Sequence, residues 1–126
     1  SHYGDALDAL DVVLEDFSAE LRPDVYSFAL ILKIIIHFEM GNIRLMPYLI
    51  KTAQYHISKR NRLFQTERVA IKYLKKLSKL KNQSVQNNII DAFYDEVFSL
   101  VNQNELEHRS LEVFDFLAWI DRWRDK

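Results

Sequence analysis

The chain has 126 residues, of which 17 are basic and 18 acidic, so its net charge of −1 supplies no overall attraction to nucleic acid or to a membrane surface. It has no cysteine, which excludes disulfides, thiolate metal sites and cysteine nucleophiles. With only two glycines and two prolines, the composition favours long helices over a turn-rich β fold, and 48% hydrophobic residues suffice for a buried core.

Apolar residues recur at helical spacing along most of the chain. They predict six helices with short polar connections, in an all-α fold of antiparallel helical hairpins that forms a single domain over residues 1–126. The predicted ranges are 5–16, 23–40, 45–59, 64 or 66 to 80, 84–102 and a last helix that begins near Ser110. The second helix is apolar nearly all round, so Ile31, Ile35 and Phe38 are expected at the centre of the core. Its apolar stretch is too short to span a membrane.

The two glycines of the chain suggest an internal period. Gly4 and Gly41 are 37 positions apart, and each precedes an amphipathic helix. Residues 26–58 resemble one tetratricopeptide repeat, a helix-turn-helix unit of about 34 residues, with Gly41 at the turn between its helices and Ala53 at the small position of its second helix. Residues 4–16 resemble the second helix of a preceding unit, with Ala9 at the small position. Leu30 stands at the Trp position of the motif, which is a departure from it.

The resemblance implies a repeat-like region over residues 1–60, followed by C-terminal helices over residues 61–126. It also implies a scaffold that binds other proteins and a chain that is the C-terminal part of a longer protein. Because a repeat relies on its neighbour, the apolar stripe of the first helix is then expected to be partly uncovered. An irregular helical bundle is the alternative architecture.

The residues needed for catalysis do not occur in productive patterns. The four histidines are scattered, and no pair stands at i and i+4 with the spacing of a helical zinc site. The adjacent carboxylates Asp95 and Glu96 point about 100° apart on a helix and do not share a site. With two distant glycines, no glycine-rich phosphate loop can form. The sequence therefore predicts no enzyme activity, metal, cofactor or small-molecule substrate.

Charge is segregated along the chain: residues 1–24 have net charge −6, residues 51–81 have +9 and residues 91–126 have −5. Within the basic part, four cations follow the spacing i, i+4, i+7, i+11 on one helical face, and we call them the basic stripe: Arg68, Lys72, Lys75 and Lys79. One interpretation is a solvated face that pairs with the acidic helices. The other is a docking face for an acidic protein. A nucleic-acid-associated domain that uses the basic face of residues 59–81 is a further alternative.

The last predicted helix places Trp119 among charged residues of its polar face. A tryptophan there either covers a neighbouring helix or anchors an interface, since Trp is enriched at binding hot spots. We therefore name Trp119 as a second candidate for partner binding, with self-association as the simplest form of that contact.

Overall fold

The structure is a computed structural model, and it describes residues 2–16, 23–58, 65–80, 83–105, 107, 117–118 and 120–121. These residues contain five α-helices and no β-strand, so the all-α prediction is confirmed for this part of the chain. The helices are α1 (His2–Asp16), α2 (Pro23–Glu39), α3 (Met46–Ser58), α4 (Gln65–Ser78) and α5 (Gln83–Gln103), with a 3₁₀ turn over Ile43–Leu45. The predicted ends of these five helices differ from the observed ones by at most three residues.

The sixth predicted helix falls mostly outside the described residues. In that part of the chain the structure describes residues 117–118 and 120–121, which are helical. Ser110 and Trp119 are outside the described residues, so the interpretation of Trp119 as an interface anchor stays a prediction.

The chain divides into two compact units, residues 1–63 and 64–126. Each unit contains packed helices of its own: α2 packs against α1 and α3 in the first unit, and α4 packs against α5 in the second. The division lies close to the boundary after residue 60 that the sequence suggests between its two regions. That the two units form a single domain stays a prediction.

The core of the first unit lies between α2 and α3. Ile31, Ile35 and Phe38 are all buried, which confirms the prediction for the second helix. Pro23 begins α2, where its missing N–H costs nothing because the first amides of a helix lack intrahelical partners. Opposite α2, the helix α3 buries one stripe at helical spacing: Met46, Ile50, Ala53 and Ile57.

The turn between α2 and α3 depends on one glycine. Gly41 has φ of +85°, a left-handed conformation that other residues rarely adopt. Its amide donates to the carbonyl of Phe38 at 3.0 Å, and the amide of Asn42 donates to the carbonyl of His37 at 2.9 Å. This is the hydrogen-bond pattern of a Schellman motif, which satisfies the last carbonyls of a helix. Gly41 therefore ends α2 and reverses the chain toward α3.

The helix α1 is less buried than its neighbours. Its apolar stripe is half-buried, and none of its described side chains belongs to the core. Ala9, at the small position of the repeat resemblance, is exposed. Lys33 of α2 reaches Asp11 of α1 at 3.5 Å, at the margin of an ion pair. The contact between α1 and α2 is therefore shallower than that between α2 and α3.

The second unit has its core between α4 and α5. The buried apolar side chains recur at helical spacing on both helices: Ala70, Ile71, Tyr73, Leu74 and Leu77 on α4, and Ile90, Phe93, Val97 and Val101 on α5. The helix α5 begins at Gln83, one residue before the predicted start.

The N-terminus of α4 is capped by a carboxylate that is distant in sequence. Glu107 is only 2% exposed, and its two carboxylate oxygens accept hydrogen bonds from the amides of Gln65 and Thr66. The first amides of a helix have no intrahelical acceptor, and the positive end of the helix dipole favours an anion there. Glu107 thus ties the chain after α5 to the start of α4.

Candidate functional site

The four cations of the basic stripe are all exposed, three of them on α4 and Lys79 in the turn just after it. The opposite face of α4 carries its buried residues, so packing against α5 holds the stripe toward solvent. At the rise of an α-helix, the stripe extends about 16 Å along the helix axis from Arg68 to Lys79. The structure therefore brings the four predicted residues together as one row.

One member of the stripe is engaged within its own unit. Lys72 Nζ donates to both carboxylate oxygens of Glu96 on α5, at 2.8 Å each. Both side chains are partly exposed, so water screens the pair and its effect on stability is small. Of the two interpretations of the stripe, pairing with an acidic helix therefore applies to Lys72.

Tyr73 forms the inner part of the same contact between α4 and α5. Its hydroxyl donates to Glu96 Oε1 at 3.0 Å, and its ring stacks on Phe93 with centroids 5.1 Å apart. The ammonium groups of Lys72 and Lys76 lie 4.9 and 5.0 Å from the ring centroid, within cation–π range. The stripe is therefore fastened to α5 through one aromatic residue and one carboxylate.

This cluster shifts the pKa values of two groups. Burial, and then the hydrogen bond to Glu96, raise the pKa of Tyr73 to about 12. Burial also raises the pKa of Glu96, but the hydrogen bonds from Lys72 and Tyr73 and the charges of Lys72 and Lys76 together outweigh it, so the pKa of Glu96 lies below its usual value. Both shifts reflect an ionised Glu96 that accepts hydrogen bonds from a neutral phenol and an ammonium group.

The other three members of the stripe differ from Lys72. Within the part of the chain that the structure describes, Arg68, Lys75 and Lys79 form no ion pair. No aromatic side chain of α4 is exposed beside them, because Tyr73 is buried. On α4 itself, the candidate site is therefore a row of cations without an exposed aromatic ring.

A second exposed cluster lies on α3, at residues that belong to none of the sites predicted from the sequence. Tyr48 and Tyr55 are 70% and 56% exposed, on the side of α3 away from its buried stripe. The signal was present in the spacing, because both tyrosines fall outside the apolar stripe that predicts α3.

The described residues offer neither a metal site nor a membrane span. These residues include no group of three His, Asp or Glu side chains that could hold a metal ion. None of their helices is both long and apolar enough to cross a membrane. In comparisons with known proteins, no family model, no curated protein and no solved structure matches the chain.

Proposed function

We propose that the protein is a non-catalytic helical scaffold that binds an acidic protein partner through the basic stripe on α4. The observation that carries this proposal is the row of three cations without ion-pair partners among the described residues, beside Lys72, which is fastened to Glu96. A partner helix with carboxylates at i, i+4, i+7 and i+11 matches this row in charge and in length.

The composition of the stripe favours a protein over a nucleic acid at this position. Proteins that bind single strands combine cations with exposed aromatic rings on which bases stack. The stripe has the cations, but the only aromatic residue of α4 is the buried Tyr73. Three of the four cations are lysines, which act as point charges rather than as planar groups that recognise bases.

The test is a titration with a labelled 15-residue helical peptide that carries glutamate at the matching spacing. We expect the double reversal Lys75→Glu with Lys79→Glu to weaken binding by about tenfold or more. The matched control is Arg44→Glu with Lys51→Glu, which changes the net charge equally on another helix face. Exposed charges contribute little to stability, so both variants should keep the helical circular dichroism of the wild type.

Two results contradict the proposal. Equal weakening in both double variants would show that the peptide responds to net charge and not to the stripe. Unfolding of the α4 variant would show that these lysines pair within the protein.

We also propose that residues 1–60 form a tetratricopeptide-like region. Gly41 in the turn and the fully buried Ala53 on α3 support this, since the repeat has a turn residue and a small residue at these positions. An experimental structure tests the proposal: α1 and α3 must superpose as the second helices of successive units.

A further inference from the structure

The outer face of α3 carries cations and tyrosines in alternation. The 3₁₀ turn before α3 contributes Arg44, and the helix contributes Tyr48, Lys51 and Tyr55. All four side chains are exposed. We call these four residues the α3 face. Their spacing of i, i+4, i+7 and i+11 is the same as that of the basic stripe, but every second position is aromatic.

The packing of α3 holds this face toward solvent. Its buried stripe, which includes Met46 and Ile50, lies against the core on the opposite side. The ring of His56 contacts the ring of Tyr55 edge-on, with centroids 5.3 Å apart, and also contacts Tyr26 of α2 at 4.8 Å. These contacts orient one edge of Tyr55 while 56% of the residue stays exposed.

The electrostatic surroundings of the α3 face are those of an anion-binding surface. The 3₁₀ turn and α3 contain no Asp or Glu. Along the sequence, residues 40–66 contain five basic residues and no acidic one. The cations Arg44 and Lys51 are therefore not neutralised by carboxylates of their own element.

The exposed rings distinguish this surface from the basic stripe. A cationic face that binds an acidic peptide does not need two large aromatic side chains in water. A surface that binds unpaired nucleic-acid bases does need exposed aromatic rings, because each base that stacks on a ring adds to the affinity, whatever the sequence. Along the helix axis, Tyr48 and Tyr55 are about 10 Å apart, close to the length of three nucleotides at ~3.4 Å each.

The geometry points to a binding surface for single-stranded nucleic acid on the α3 face. Tyr48 and Tyr55 stack on unpaired bases, while Arg44 and Lys51 contact the phosphates between them. A duplex is a poorer ligand because its bases are already stacked inside the helix. This surface is separate from the basic stripe, and the inference does not depend on the proposed binding of an acidic protein.

The test uses fluorescence anisotropy with a labelled 12-nucleotide oligothymidylate and a labelled duplex of equal length. We expect the single strand to bind more tightly than the duplex. With two phosphate contacts, raising the salt from ~50 to ~200 mM should weaken single-strand binding by about sevenfold. Vesicles with an anionic lipid serve as the comparison for a membrane surface.

Variants identify which groups bind. Tyr48→Ala and Tyr55→Ala should each weaken binding of the oligothymidylate by about tenfold, and Tyr48→Phe should retain it, because stacking needs the ring and not the hydroxyl. Arg44→Glu with Lys51→Glu should abolish it. The matched controls are Phe98→Ala, an exposed aromatic residue on α5, and Lys75→Glu with Lys79→Glu, which should weaken binding by less than about threefold.

Any of four results overturns the inference. Two concern the wild-type protein: no detectable binding of the oligothymidylate, or equal affinity for the single strand and the duplex. Two concern variants whose circular dichroism is that of the wild type: binding that survives both tyrosine-to-alanine changes, or loss of binding in Lys75→Glu with Lys79→Glu. Binding to anionic vesicles that depends on the same four residues, without binding to the oligothymidylate, would assign the α3 face to a membrane surface instead.

Discussion

The side-chain amide of Asn42 donates a hydrogen bond to Nδ1 of His37 across 3.1 Å at the C-terminus of α2. The backbone amide of Asn42 also donates to the carbonyl of His37 as part of the Schellman motif. An amide nitrogen can only donate, so Nδ1 accepts and is unprotonated. The end of α2 is therefore held by a neutral histidine.

The first prediction is that acid weakens the first unit through His37. Burial, and then the nearby ammonium of Lys33, lower the pKa of His37 below 6.5, while Asp11 opposes this shift. The unfolded chain thus binds more protons than the folded chain just below pH 6.5, and the free energy of unfolding rises with pH in that window. This stabilisation is complete above about pH 6.5. It is lost as the pH falls through the folded pKa.

Urea unfolding at pH 7.5 and 5.5 measures this effect. His37→Gln keeps a polar side chain but cannot gain a proton, so it should lose less stability between the two pH values than the wild type does. Identical losses in the wild type and the variant would show that His37 does not contribute. Asn42→Ala removes the donor and should destabilise the protein more at pH 7.5 than at pH 5.5.

The second prediction concerns the phenol of Tyr73. Its pKa of about 12 is above the ordinary value of 10, so the folded state binds more protons between these values. The associated stability is present below pH 10 and is lost as the pH rises toward 12. An alkaline absorbance titration should show one phenol that ionises near pH 12, among the six tyrosines of the chain. Tyr73→Phe should remove that step, and a step that persists would refute the assignment.

Much of the fold follows from apolar spacing alone. The stripes of α4 and α5 identify the buried faces, because a side chain recurring every three to four residues must lie on one side of a helix. Pro23 and Gly41 mark the start and the end of α2 through their backbone preferences. Such features are local, and a single sequence is sufficient to predict them.

The features that could not be predicted join residues far apart in sequence. The cap of Glu107 on α4 and the pair of Lys72 with Glu96 cross 41 and 24 positions, respectively. One acidic residue among many gives no sign of which cation or helix end it contacts. The exposure of Tyr48 and Tyr55 also depends on tertiary packing, because the spacing of apolar residues does not show which faces of α3 other parts of the chain cover.

The third prediction tests the core of the first unit. Ile35 is 3% exposed between α2 and its neighbours, whereas Ile43 in the 3₁₀ turn is 37% exposed. Ile35→Ala should lower the free energy of unfolding by about 2–5 kcal/mol, since it removes buried methyl groups and leaves a cavity. Ile43→Ala should lower the free energy of unfolding by well under half as much as Ile35→Ala does. A loss below about 1 kcal/mol for Ile35→Ala, measured by urea unfolding, would mean that α2 is not central.

The last prediction concerns the carboxylate cap of α4. Glu107→Ala removes the acceptor of two amides, that of Gln65 at a part-buried contact and that of Thr66 at a buried one, and an unmet buried donor costs about 1–3 kcal/mol. Glu105→Ala removes an exposed carboxylate two positions away and is the matched control. We expect urea unfolding to show a loss of about 1–3 kcal/mol for Glu107→Ala and less than about 0.5 kcal/mol for Glu105→Ala. Hydrogen exchange should localise the difference. The amides at the start of α4 should exchange faster in Glu107→Ala than in the wild type, and at the wild-type rate in Glu105→Ala. Equal protection of those amides in the two variants would show that the cap does not hold the helix end in solution.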